Sequence, residues 1–522
     1  MDIPQSVHWA GTLAPVALMA TAAAASLLPQ RSDAGRWRLF QAFSVGALVL
    51  VVLTLVSGAG RAHWGGAFAA STLSLSLAAL VQLLGTVIGA FSAQYLQGEP
   101  GQRRYVAALA AVLAGVHLLL LADHWLALIA AWAGVGWALQ PLLCFYPDRP
   151  FARLAAHKKR LADRLADVLL LLAAALAWRE VGSGALPALW AHVAQHGMGT
   201  ALQLSALALV LAVILRTALL PVHGWLIQVM EAPTPVSALL HAGVVNLGGL
   251  VLIRFAPLLE QAAPARGVLL AFGLATAMLA GMVMLTRISI KVRLAWSTVA
   301  QMGFMLLECA LGLYTLAALH LIGHSLYKAH AFLSASTVVR QTRLRALHQP
   351  AAPGTASLAL APVMAIALVL LVVWVMAQLA GRSAWPWWWS AVLGLAWAPL
   401  LWLPSGAAAR AGQALAGLLL VAGLTLAATA AHWLPFGIQD APHTALGVIA
   451  LAGMALLYLG LALLQRKPQT LSGFRRWSYA GFYVDEAYTR LVLRLWPSRW
   501  APEARAHATH RAPAFAMAHT PH

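Results

Sequence analysis

The stretch HLIGHSLYKAHAFL, His320 to Leu333, spaces three titratable side chains four residues apart: His320, His324 and Lys328. On a helix that spacing stacks them on one face, a turn apart. His330 follows the lysine and points elsewhere. Apolar residues run on either side, so the segment reads as membrane-spanning with Lys328 near its middle. Burial disfavours the charged form of an amine, and histidine titrates near neutral pH. Such groups one turn apart, bridged by water, suit a proton relay. The plainer alternative is a satisfied core hydrogen bond, and it weighs less for a stripe that includes a mid-membrane lysine. Two histidines four apart can also ligate zinc. A cationic lysine one turn away repels a metal, and no HExxH pattern is present, so no metal site is assigned.

Three further clusters put ionisable residues inside apolar runs, where each costs several kcal/mol and is a functional candidate by default. In LRTALLPVHGWLIQVMEAPTPVSALLHAG, Arg216 lies deep in one segment and Pro221 should break or kink its helix. Glu231, two further prolines and His241 follow. Freed carbonyls of a helix broken in the membrane must be satisfied in a protein or water-lined cavity, and broken helices mark transport sites. The structural alternative is a kink with a buried Arg–Glu pair. In IKVRLAWSTVAQMGFMLLECALG, Ser297, Thr298 and Gln301 offer hydrogen bonds between helices, and Glu308 is expected to partner a cation nearby. In KKRLADRLADVLL, Arg164 and Asp167 share a helix face, either at a functional entry or as a solvated ion pair.

Composition fixes the setting of these groups. The 522 residues are 61% hydrophobic and only 9% charged, against about 25% charged in soluble domains. Many apolar runs exceed the ~18 residues that cross a bilayer core of roughly 30 Å. The fold class is therefore all-α and polytopic, with about 15 spanning segments near 7–29, 39–58, 70–96, 104–122, 124–146, 165–182, 199–222, 236–257, 266–286, 294–313, 315–339, 356–380, 384–404, 411–433 and 443–465. The first lacks a basic leader region and reads as a spanning helix, not a removed signal peptide. Basic residues cluster after the first, third, fifth, ninth, eleventh and fifteenth segments. The positive-inside rule then places the N-terminus outside and the C-terminus in the cytoplasm. This distribution, not nucleic-acid binding, accounts for the net charge of +19. Beyond residue 465 the chain turns basic, aromatic and amphipathic, suited to the membrane interface or to docking a partner. Residues 501–522 read as a disordered tail. There is no phosphate loop, nucleotide fingerprint or cysteine cluster, so no catalytic site or cofactor is expected in this chain.

The motifs LPVHGWLIQVMEAPTPVSALLHAG, IKVRLAWSTVAQMGFM and HLIGHSLYKAHAFL resemble the core of the antiporter-like subunits, which include membrane-arm subunits of respiratory complex I and of multisubunit cation/proton antiporters. GFYVDEAY, Gly481 to Tyr488, resembles the C-terminal motif of the complex I subunit L branch. The resemblance covers most of residues 60–340. It implies two inverted five-helix repeats, each with a broken helix, joined by a polar axis. The expected divisions are N-terminal helices over 1–100, repeats over 101–257 and 258–404, C-terminal helices over 405–465 and a basic amphipathic cytoplasmic segment over 466–500. Carried over by motif, Arg164 and Asp167 match the entry pair, His241 the histidine after the broken helix, His320 and His324 the bridging histidines, and Lys328 the central relay lysine.

The departures are specific. The usual Trp-Glu-Gly-Val-Gly reads Trp132-Ala133-Gly134-Val135-Gly136, and the lysine on the broken helix is Arg216. Together they are expected to disable the familiar charge switch of the first half, because arginine does not deprotonate. No Lys, Asp or Glu lies between 346 and 409, so the usual charged exit is absent too. This altered pattern, with SLYKAHAF, resembles the DabB branch, the membrane subunits of two-component bacterial inorganic-carbon accumulation complexes. The resemblance implies a cytoplasmic-membrane protein and a large soluble DabA-like partner with a zinc site similar to a β-carbonic anhydrase. The zinc would sit in that partner. The implied role is to couple cation flow, as protons, to hydration of CO2 to bicarbonate. Lys328, His320, His324 and His241 would carry protons, and Arg216, Glu231 and Glu308 would set the local potential. A divergent cation/proton antiporter or respiratory subunit, and a membrane anchor that conducts nothing, remain alternatives.

Overall fold

A backbone without water must close its hydrogen bonds within each segment, and the apolar runs do so as helices. The computed structural model describes residues 5–29, 32–57, 63–64, 66–335, 353–403, 410–466, 469 and 472–498. The tail at 501–522 and the basic residues Arg340, Arg343 and Arg345 lie outside them.

The first half of the chain forms α1 (Gln5–Ser26), α2 (Asp33–Val56), α3 (Thr72–Tyr95), α4 (Gln102–Leu121), α5 (Trp125–Leu143), α6 (Pro150–Val181), α7 (Leu186–His196), α8 (Thr200–Arg216), α9 (Gly224–Gln228), α10 (Thr234–Ala242), α11 (Leu247–Arg254) and α12 (Ala256–Gln261). The second half forms α13 (Ala263–Leu285), α14 (Ile290–Ala310), α15 (Tyr314–Leu333), α16 (Thr355–Ala380), α17 (Trp387–Trp397), α18 (Arg410–His432), α19 (Thr444–Arg466), α20 (Ser472–Tyr479) and α21 (Val484–Leu495). A two-residue hairpin pairs His63–Trp64 with Phe68–Ala69. Each expected span has a helical counterpart. Among the described residues, nine helices are long and apolar enough to cross a membrane by length and composition. Helices α6, α14 and α15 are not among the nine; α6 and α14 carry several charged residues, and α15 carries three histidines and Lys328.

Local chemistry sets the ends. Helix α6 starts on Pro150 and stops at Gly182, whose φ of 73° closes the helix in the left-handed region. It begins fifteen residues before the expected span, because PFARLAAHKKRLADR is too charged for a hydropathy window yet rich in helix formers. Arg254 donates to the carbonyls of Leu119, Leu120 and Ala122 at the end of α4. Arg266 donates to Ala310 O at the end of α14. These side chains satisfy carbonyls that a helix end leaves open.

Two central helices are broken. Helix α8 stops at Arg216, Ala218 takes a φ of 56°, and the helix resumes at Gly224. Pro221 contributes no N–H there, and the Leu220 N–H donates to Thr276 Oγ1 at 3.2 Å. The second break, at Gly243 between α10 and α11, was not legible from proline. There Asn246 Nδ2 donates to the freed Ala242 carbonyl at 2.9 Å. By contrast, α16 runs unbroken over Thr355–Ala380 with Pro362 inside. The α10–α11 segment is the centre of the bundle, with 94% of its apolar window buried, against 22% for Ala411–His432.

Small residues set a close crossing of α13 and α14. A Cβ at Gly303 of α14 would lie 2.6 Å from the Ala277 backbone N and 2.8 Å from Gly273 O. Gly303→Ala should therefore lower stability by about 1–3 kcal/mol, the range for overpacking. Gly281→Ala, where a Cβ meets nothing within 4 Å, should be neutral. Thermal unfolding midpoints of the two purified variants, compared with the parent protein, check this.

Candidate functional site

Helix α15 presents the expected stripe toward α10, α11 and α14. Lys328 is fully buried. Its Nζ donates to Ser297 Oγ at 2.7 Å and to Leu294 O at 3.1 Å. Both partners are neutral oxygens, and among the described residues no carboxylate forms an ion pair with it. His324 and His241 are buried, and none of their four ring nitrogens has a hydrogen-bond partner. Such orphaned buried atoms are rare without water or a mobile proton. His241 stacks on Phe332 with ring centroids 4.5 Å apart. Beside them Asn246 Nδ2 donates to Ser325 Oγ at 2.8 Å, tying the broken α10–α11 segment to α15.

At the other end of the stripe, His320 Nδ1 meets Glu308 Oε2 at 2.9 Å. Glu308 thus finds its partner on the neighbouring helix, as a histidine. The His320 and His324 rings are 6.1 Å apart. Ser297, Gln301 and Glu308 of α14, with His320 and Phe304, line a cavity of about 630 Å³. Ser297 therefore touches Lys328 and also borders the cavity. An unbroken set of exchangeable groups runs from Lys328 to the cavity wall.

The first half is built differently. Lys159, Asp163 and Asp167 of α6 are four apart and form one row. Lys159 pairs with Asp163, and Asp167 pairs with the buried Arg216. Arg216 Nη1 also donates to Trp132 O at 2.7 Å, with the guanidinium 4.7 Å from the Trp132 ring centroid. Gly136 makes room for the row: a Cβ there would lie 2.8 Å from Asp163 Oδ2. The carboxylate missing at Ala133 is thus supplied by α6, so the cation on the broken helix is still paired.

Arg164 and Asp167 share a face of α6 as expected, 3.7 Å apart with Arg164 68% exposed, and Asp167 also pairs with Arg216. The structural alternative, a buried Arg216–Glu231 pair, is not formed. Pro233 ends the turn that carries Glu231, and Glu231 faces the half-exposed Arg149 at 3.7 Å, with Arg149 Nη1 also donating to its backbone O at 2.7 Å. Lys159, Asp163 and Asn246 were not singled out from sequence. The spacing 159, 163, 167 could have flagged the first two.

Asp167→Asn would leave Arg216 buried without a counter-ion. Breaking a buried pair from one side costs about 3–5 kcal/mol, so this variant should unfold earlier than Arg164→Gln, whose exposed partner contributes little. Thermal midpoints in one detergent decide the order.

The relatives agree with this architecture. A family model described as NADH:quinone oxidoreductase/Mrp antiporter, TM matches residues 122–382. The chain is 37% identical over 478 residues to the probable inorganic carbon transporter subunit DabB of Hydrogenovibrio crunogenus, covering 89% of this chain and 90% of that protein. It is 46% identical over 321 residues to the probable subunit DabB2 of Halothiobacillus neapolitanus, covering 59% of this chain and 58% of that protein. A chain of the Mrp complex from Dietzia sp. has the same fold, with a TM-score of 0.59 at 22% identity over 92% of this chain and 60% of that one. With a multi-pass helical bundle, a buried lysine–histidine axis and this identity along nearly its whole length, the chain belongs to the DabB family of antiporter-like membrane subunits.

Proposed function

We propose that this chain is the proton-conducting membrane subunit of an inorganic-carbon accumulation complex in the bacterial cytoplasmic membrane, with its N-terminus outside and its C-terminus in the cytoplasm. It energises a large cytoplasmic zinc-bearing, DabA-like partner that hydrates CO2 to bicarbonate. The observation that carries this reading is Lys328: a fully buried amine whose hydrogen-bond partners among the described residues are the neutral oxygens of Ser297 and Leu294. An amine held this way can give up a proton without stranding a carboxylate. Ser297 Oγ accepts that proton while its own hydroxyl proton passes on to water in the cavity. His320 and Glu308, hydrogen-bonded at 2.9 Å, stand at the same cavity. His324 and His241 offer free ring nitrogens on the opposite approach. Hydration of CO2 releases a proton and lies near equilibrium, so a proton current that reshapes or deprotonates the partner's site supplies the direction. The pair of Arg216 with Asp167 supports a fixed potential in the first half.

The fixed Arg216–Asp167 pair also fits a second reading, a membrane anchor that conducts nothing. Gentle purification from native membranes, followed by mass spectrometry and metal analysis, should recover one large soluble zinc protein. Recovery of redox subunits or several small membrane subunits in its place would overturn the assignment. Within the intact complex, Lys328→Ala and Lys328→Arg should each reduce bicarbonate accumulation by about 10²-fold, the scale of a lost proton-transfer group. The arginine variant keeps the charge and removes only the exchangeable proton. Normal accumulation by both variants would leave the anchor reading.

A further inference from the structure

Past the last spanning helix the chain does not lie free along the bundle. Three consecutive residues, Gly481, Phe482 and Tyr483, take left-handed φ values of 66°, 55° and 57°. For two non-glycine residues this conformation is strained, about 1–2 kcal/mol each, and it persists only where the surroundings dictate it. It turns the chain from α20 into α21 and aims Asp485 at the underside of the bundle. Asp485 Oδ1 takes a hydrogen bond from Lys158 Nζ at 2.6 Å, and Oδ2 takes one from Gln228 Nε2 at 3.2 Å. Thr489 Oγ1 accepts from the same lysine at 2.7 Å. The Lys158 side chain is fully buried, and Asp485 is its ion-pair partner.

The fit is close. A Cβ on Gly224 would lie 1.5 Å from Asp485 Oδ1 and 2.7 Å from Lys158 Nζ, so the first residue of α9 must be glycine for the carboxylate to enter. The segment is held at both ends as well. The Arg287 guanidinium lies between the rings of Trp296 and Tyr479, 5.3 and 5.7 Å from their centroids. His157 Nε2 donates to Trp496 O at 3.1 Å.

Lys158 precedes Lys159, the first member of the α6 charge row, and Gln228 ends the helix that follows the break. Asp485 therefore joins α6 to the resumed half of the broken helix. We propose that Asp485 is a positioning residue for proton movement, holding α9 against α6 so that the charge row keeps its register with Arg216 across the break. This proposal rests on the reading that the chain conducts protons. The C-terminal motif is then part of the transport machinery, not only a docking tail.

The test uses the complete complex and reads assembly, thermal midpoint and bicarbonate accumulation together. Asp485→Asn removes the ion pair, and Gly224→Ala expels the carboxylate with both partners intact. Each should assemble and yet lose about 10²-fold of accumulation, the scale of a small misplacement in a transfer site. Asp485→Glu should recover part of it. The double variant Lys158→Met with Asp485→Asn leaves no orphan charge and should regain the thermal midpoint but not accumulation. Full accumulation by that double variant, or by Asp485→Asn alone, would overturn the proposal and reduce Asp485 to a structural counter-ion. If the single variants do not assemble, the double variant still decides. Lys328→Arg is run beside them: if it accumulates normally, the proton-conduction reading itself fails; if it is inactive while the Asp485 variants are normal, only the positioning role fails.

Discussion

A buried charge in an apolar bundle costs more than any one packing contact returns, and the architecture is organised around that cost. The two halves meet it in different ways. In the first, three buried cations have anions: Lys158 has Asp485, Lys159 has Asp163 and Arg216 has Asp167. Lys159, Asp163 and Asp167 form one row on α6, and Lys158 beside it reaches the C-terminal segment. In the second, Lys328 donates to the Ser297 and Leu294 oxygens and, among the described residues, pairs with no carboxylate, and the neighbouring His241 and His324 nitrogens are open. A paired arginine is electrostatically settled. An amine with neutral partners is the group from which a proton can leave.

The breaks in the central helices serve the same arrangement. A continuous helix presents no free backbone polar groups in its middle and carries only its side chains there. The interruptions at Ala218 and Gly243 open backbone groups at membrane depth, and Thr276 and Asn246 take them up. Asn246 then reaches Ser325 on α15. A single side chain thus joins the repaired backbone of the broken segment to α15. The continuous α16 is the contrast. Its segment has no Lys, Asp or Glu, and nothing there requires an opened backbone. The Glu308–His320 pair and its cavity lie on α14 and α15 instead, which places the polar end of the second half away from the segment where antiporter-like subunits are expected to carry it.

The C-terminal segment gives the α6 row its outer end. An amphipathic stretch with arginines and aromatics reads equally well as a membrane-surface helix or as a partner's dock. What separates these is the inner face, and here that face is occupied by the bundle itself through Asp485, Thr489 and Trp496.

The sequence alone determined the helical segments and their order, the break at Pro221 and the stripe of His320, His324 and Lys328. Hydropathy, proline chemistry and four-residue spacing are local properties, readable within one turn or one span. It did not determine which charges meet. A buried Arg216–Glu231 pair was one reading open in the sequence, yet Glu231 faces Arg149, which is half-exposed. The partner of Arg216 lies 49 residues earlier on another helix, and that of Lys158 lies 327 residues later. Ala133 and Arg216 read in sequence as a lost charge switch because the compensating carboxylate sits on α6 and not α5. Pairing of buried charges is set by which helix faces pack together, and only the tertiary structure decides that.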